Sequence, residues 1–128
     1  MADCPFCGRI DAGDFDFSNE HAVAFGDAFP LAAGHTLVVP RHHLANHFEL
    51  SATVRAGVWR LVDTVHAHLS KSLAPDGFNI GVNVEPAGGQ TVPHAHVHVI
   101  PRTVGDIADP RGGVRWVIPD KAPYWEQD

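Results

Sequence analysis

Residues 94–98 read His94-Ala95-His96-Val97-His98, and the apolar alternation continues through Val99 and Ile100. Successive side chains of a strand point to opposite faces. An extended segment here puts three imidazoles on one face and Ala95, Val97 and Val99 on the other. The apolar face must meet a core, so residues 94–100 read as a strand in a sheet covered on that side. The imidazole face gains nothing from packing. It has to be explained by solvent or by chemistry.

The other elements follow from local pattern. Residues 21–25 read as a short strand and 26–30 as a turn. Residues 34–40, centred on Thr36-Leu37-Val38-Val39, read as a second strand ended by Pro40 and paired with the first. Ser51 can cap a helix. Val54, Val58, Leu61, Val62, Val65, Leu69 and Leu73 then recur at helical spacing up to Pro75-Asp76-Gly77. Phe78, Ile80, Val82 and Val84 alternate with polar residues and glycine, a third strand. The order strand, strand, helix, strand, strand fits an α+β meander with a helix on one sheet face.

At 128 residues the chain suits one domain, 1–128. Residues 103–128 form a Pro- and Gly-rich tail whose Trp116, Tyr124 and Trp125 call for docking on their own domain or on a partner subunit. No apolar run approaches the ~20 residues needed to span a bilayer. Residues 1–5 lack the basic and apolar regions of a signal peptide, so a cytoplasmic location is expected. With a net charge of −6 and nine scattered Lys and Arg, a duplex-binding surface is a poor fit. A small phosphate compound held by a few aimed donors remains open.

Ten histidines concentrate the question on proton, phosphate or metal chemistry. A three-histidine metal site is one reading, but same-face strand positions lie in a row ~7 Å apart, and tetrahedral ligands must converge. Phosphoryl chemistry is the other. A neutral imidazole is a good nucleophile near neutral pH, and its phosphorylated form is readily opened. Gly88 and Gly89 allow close backbone approach, and Gln90 and Thr91 add uncharged donors. Cys4 and Cys7, spaced C-x-x-C, leave three readings open: a redox pair, two idle thiols, or half of a zinc site.

These motifs together resemble the histidine triad (HIT) superfamily. His94-Ala-His96-Val-His98-Val-Ile is similar to its triad signature, and Asn83 with Ala87-Gly88-Gly89-Gln90-Thr91-Val92 to the approach. Ala24-Phe25-Gly-Asp27, Gly34-His35-Thr-Leu-Val-Val-Pro40-Arg41-His-His43 and Cys4-Pro-Phe6-Cys7 resemble further blocks. The resemblance implies an antiparallel meander of about five strands with one long and one short helix. It implies cleavage at the α-phosphate of a purine nucleotide, either a diadenosine polyphosphate or a nucleoside phosphoramidate, through a nucleotidyl adduct on His96. His98 would contact phosphate, His94 and His35 would orient, and Gln90, Thr91, Gly89 and Asn83 would hold phosphate or leaving group. Asp27 would take the ribose hydroxyls, and Phe6, Phe15 and Phe25 would border the base.

The resemblance also implies a structural zinc on Cys4, Cys7, His43 and His94, with His42 and His47 as nearby alternatives to His43, and a homodimer. Pro93 before the triad and Arg41 in place of lysine depart from the pattern. Two further readings are a nucleotide-binding adaptor with weak catalysis and a three-histidine metalloenzyme.

Overall fold

A computed structural model describes residues 3–126. Met1 and Ala2, where the amino-terminal stretch examined for targeting begins, lie outside the described residues, as do Gln127 and Asp128. The first element is α1 (Pro5–Asp11). The Cys4 sulfur caps it by accepting the Cys7 N–H at 3.4 Å, and Pro5 sits where no helical N–H partner is needed. The strands are β1 (Phe17–Ser18), β2 (Ala22–Gly26) and β3 (Thr36–Pro40). The long helix α2 (Ala52–Leu73) precedes β4 (Gly77–Val82) and β5 (Val97–Arg102). The sheet runs β1-β2-β3-β5-β4, antiparallel throughout. Ser51 caps α2 as expected, accepting the Val54 N–H at 3.2 Å.

Strand limits differ from the reading by pattern, by one or two residues in β2 (read as 21–25) and β3 (read as 34–40) and more in the last two strands. The last strand pairs from Val97 to Arg102, not from residue 94 to 100. The backbone before Val97 is claimed elsewhere: Ala95 N–H donates to the Leu44 carbonyl at 2.8 Å and His94 N–H to the Val92 carbonyl at 2.9 Å. Continuing the β3–β5 register would also bring Ala95 opposite Pro40, which has no N–H to offer. The third strand stops at Val82, because the chain turns at Glu85, a non-glycine residue at φ 66°.

The two sheet faces are covered differently. Val58, Leu61, Val62, Val65 and Leu69 of α2 bury Ala22, Ala24, Val38, Val97 and Val99. Gly57 lets the helix come in close to the start of β2, where a Cβ would lie 2.7 Å from the His21 Cβ. On the opposite face Phe6, Cys4 and Cys7 pack over Val23, Phe25, Leu37 and Val39. Only the β2–β3 half of that face is covered by α1, which leaves the β5–β4 half open for side-chain chemistry.

The tail docks on its own domain. Gly113 comes close to the Asn79 amide of β4. Arg111 and Arg115 lie over the Trp125 and Tyr124 rings at 4.5 and 4.7 Å. Among the described residues no helix is long and apolar enough to cross a membrane.

Candidate functional site

Three chain segments meet at one end of α1. Cys4 and Cys7 come from its first turn, His43 from the loop after β3, and His94 from the approach to β5. Their four ligand-type atoms all lie within 4.8 Å of one another. The Cys7 sulfur is 3.2 Å from His43 Nδ1, the Cys4 sulfur is 3.4 Å from His94 Nδ1, and the two Nδ1 atoms are 3.1 Å apart. His94 Nε2 donates to the Pro40 carbonyl at 2.8 Å, which leaves Nδ1 as a bare lone pair aimed at the sulfurs. Burial holds His94 below the usual imidazole range, and burial together with Cys4 pushes the Cys7 thiol up. The cluster is built from groups that could hold a metal ion.

The next imidazole along is tuned by the backbone. His96 Nδ1 donates to the His94 carbonyl at 2.8 Å. A carbonyl only accepts, so Nδ1 keeps the ring proton and Nε2 is a free lone pair. His98 is set by a longer chain of bonds. The Leu31 N–H donates to His35 Nδ1 at 3.0 Å, so His35 carries its proton on Nε2. That proton faces His98 Nδ1 at 2.9 Å, which places the His98 proton on Nε2. Adjacent triad rings therefore offer opposite functions, an acceptor at His96 and a donor at His98. Burial lowers His35 and His98 as bases, while the Asp27 carboxylate, 3.4 Å from His35 Nε2 and 4.0 Å from His98 Nδ1, opposes this.

This same ordering bears on metals. Asp27, His35 and His98 bring three ligand-type atoms close together. With Nδ1 of His35 receiving a backbone N–H, its Nε2 has no lone pair to give. The cluster is therefore a hydrogen-bond chain. The triad rings do not converge either: His94 turns toward the cysteines, whereas His96 and His98 line a cavity of about 500 Å³. Phe6 and Phe25 form its apolar wall, their rings 5.6 Å apart, and the Phe6 ring stands edge-on to His96 at 5.0 Å.

The HIT domain model matches residues 14–105. The chain belongs to the HIT family. A HIT-like protein of Saccharolobus solfataricus is 39% identical over 101 residues, 77% of this chain and 73% of that one. An adenylylsulfatase of Arabidopsis thaliana is 32% identical over 108 residues, 81% of this chain and 54% of its own. A zinc-bound histidine triad family protein of Mycobacterium smegmatis has a crystal structure that superposes with a TM-score of 0.74. It is 32% identical, and the match covers 84% of this chain and 81% of that one.

Within this HIT domain most of the expected site residues come together. Asp27, His35, Asn83, Gly89, Thr91, His96, His98, Phe6 and Phe25 all line the cavity. Two do not. The Gln90 amide is spent on backbone, accepting the Glu85 N–H at 2.9 Å and donating to the Ala45 and Val92 carbonyls at 2.8 and 3.1 Å. It braces the loop that carries Gly89, where Glu85 holds its strained φ. Phe15 is half-buried against the cluster that holds Phe25, with Arg41 over its ring at 5.5 Å. His42 and His47 stay out of the cysteine cluster, and His47 accepts the Trp59 indole N–H at 3.2 Å.

The sequence reading missed Arg9, Leu31 and Leu37 on the cavity wall. Arg9 lies 4.2 Å over the Phe25 ring. Nothing in local pattern marks it, since its place depends on where α1 docks.

Proposed function

We propose that this HIT protein is a hydrolase or transferase that cleaves the α-phosphate linkage of a purine nucleotide through a nucleotidyl adduct on His96. The observation that carries the reading is the pair of fixed tautomers: the His94 carbonyl leaves His96 Nε2 a lone pair, and the bond from His35 puts the His98 proton on Nε2. The His96 nitrogen attacks phosphorus, and the P–N bond forms as the bond to the departing group breaks. The positive charge that develops on His96 is held through Nδ1–H at the His94 carbonyl. His98 donates to a phosphoryl oxygen, and Thr91 and the Gly89 backbone border the same space. One water closes the sum: its proton ends on the departing group, and its hydroxyl replaces His96 on phosphorus. Each displacement inverts phosphorus, so an alternative acceptor would give net retention. The relative named as an adenylylsulfatase fits α-phosphate chemistry of this kind.

Asp27 is assigned the ribose hydroxyls, and Phe6 and Phe25 the base. Cys4, Cys7, His43 and His94 are assigned a structural zinc. Edges of a tetrahedral zinc shell with sulfur and nitrogen ligands measure about 3.3–3.8 Å, close to the separations above. When bound, that ion supplies a cross-link between α1 and the triad. We place the protein in the cytoplasm, where paired thiols stay reduced, and assign it a two-fold dimer. The deciding experiment compares wild type with His96→Asn on adenosine phosphoramidate and on a diadenosine polyphosphate. Turnover should fall by at least roughly 10³-fold. Mass spectrometry of quenched wild type should find the adduct within residues 94–98. A His96→Asn variant that keeps most of its activity would refute the mechanism.

A further inference from the structure

The cavity beside the triad has one lysine or arginine among its described lining residues, Arg9 in the last turn of α1, and α-phosphate chemistry at His96 gives it no task. Its position is held by three contacts. The guanidinium carbon lies 4.2 Å over the Phe25 ring. Nε donates to the Asp14 carbonyl at 3.2 Å and lies 3.3 Å from the Asp14 carboxylate. Nη1 donates to the Gly26 carbonyl at 3.2 Å. Among the described residues Nη2 makes no hydrogen bond. A guanidinium held in this way is a preorganised donor with an unspent edge.

Arg9 also has a definite place along the cavity. The Phe6 ring is 5.0 Å from the His96 ring and 5.6 Å from the Phe25 ring, and Phe25, 1% exposed, lies beneath Arg9. The series starts at the triad, follows the aromatic wall and ends on a cation. Gly26, whose carbonyl holds Arg9, is the residue before Asp27. A nucleoside with its phosphorus at His96, its ribose at Asp27 and its base along Phe6 carries the outer end of the base to the guanidinium. In a purine that end, remote from the glycosidic nitrogen, is the six-membered ring with its substituent at position 6.

We infer that Arg9 selects the base, so that the site prefers a 6-oxopurine nucleotide, guanine or hypoxanthine, over an adenine nucleotide. This rests on the reading that His96 takes the α-phosphorus and that the nucleoside lies along Phe6 and Phe25. Guanidinium nitrogens donate and never accept. A 6-oxopurine offers two acceptors side by side, O6 and N7, which match the guanidinium fork. Adenine offers N7 beside an amino group, so one Arg9 donor faces another donor and gives up its bond to water for nothing. The exposed Asp14 carboxylate pairs with Arg9 from the Nε side, so the cation can meet a neutral base without being left unpaired.

The test uses guanosine, inosine and adenosine 5′-phosphoramidates, which differ only in the base, with GMP, IMP and AMP as binding probes. Wild type should favour the guanosine and inosine compounds over the adenosine compound in kcat/KM by at least about tenfold, within the range of one bidentate arginine–guanine pair. Inosine lacks the 2-amino group, so a preference it shares reports the O6–N7 edge. Arg9→Gln, whose amide both donates and accepts, should bring the ratios to within about threefold of one. Arg9→Lys keeps the charge without the fork and should lose most of the preference. Each ratio is taken within one protein, so a change in folded fraction cancels. Calorimetry of the three monophosphates on wild type and Arg9→Gln should show the same preference and its loss without turnover. A preference in binding alongside a His96→Asn variant that keeps its turnover would sink the mechanism and leave the role of Arg9 standing. Turnover that needs His96 but treats the three bases alike, with equal affinities, would overturn the selection. So would a preference for guanosine that inosine does not share, or a preference unchanged in Arg9→Gln or in Arg9→Lys. An affinity loss in Arg9→Gln that GMP and AMP share equally would overturn it too, since Arg9 would then be a phosphate or wall contact.

Discussion

Removing Cys4 and Cys7 probes how much of the site is held by the cysteine–histidine cluster. The cluster ties residue 4 to residue 94 across 90 positions, and residue 7 to residue 43 across 36. A cross-link that closes a loop of that larger size removes about 4–5 kcal/mol of chain entropy from the unfolded state. Metal ligation acts in the same way, and residual structure in the unfolded chain discounts the figure. Cys4→Ala with Cys7→Ala should therefore cost about 3–5 kcal/mol in zinc-replete protein.

The loss should also be local before it is global. At seven residues α1 is too short to persist undocked. It is held to the sheet chiefly by Phe6, Cys4 and Cys7. With the cysteines gone, α1 should exchange its amide hydrogens early, while α2 and the β2–β3 pair keep theirs. Pro5, Phe6 and Arg9 would then leave the cavity wall, and nucleotide affinity should fall by about 1–2 kcal/mol, a factor of roughly 5 to 30. Urea unfolding, hydrogen exchange read peptide by peptide, and nucleotide titration measure the three effects. A stability change under about 1 kcal/mol, together with unaltered protection over residues 5–11, would refute the reasoning.

Two further outcomes are expected. Burial depresses His35, His47 and His98 below the ordinary imidazole value of about 6.5. Below that value the unfolded chain binds protons that the folded one refuses. Stability should thus be full above pH 6.5 and fall as the pH drops through the window beneath it. Urea midpoints at pH 7.5, 6.5 and 5.5 read this, and a flat or rising series would contradict it. The edge strand β4, with Ile80 41% exposed, and the half-exposed Trp59 of α2 leave surface for a second copy. Light scattering at micromolar concentration should return twice the chain mass, and a monomer would remove the dimer assignment.

Much of this protein is legible in the order of its residues, because some patterns are enforced locally. Alternation along residues 94–100 reads as a strand, and from Val97 onward it is one, with Val97 and Val99 meeting α2. The spacing from Val54 to Leu69, with Ser51 at its head, can be satisfied only by a helix that buries one stripe. The triad and the glycine loop stand out by residue type and spacing, whereas Asp27, by itself an ordinary turn aspartate, is singled out only by the family resemblance. Other features belong to tertiary structure, since they depend on backbone groups that carry no residue identity. The Leu31 N–H sets the tautomer of His35, and through it that of His98. The His94 carbonyl sets His96. Competing backbone partners at Leu44 and Val92 draw the chain before Val97 out of the ladder. Gln90, a natural phosphate donor by type, is consumed in bracing its own loop, and Phe15 is half-buried against the Phe6–Phe25 cluster instead of lining the cavity. Only the folded chain brings Arg9 to the cavity wall and lays the tail against β4. Contacts between segments so far apart in sequence follow from packing, which no local spacing encodes.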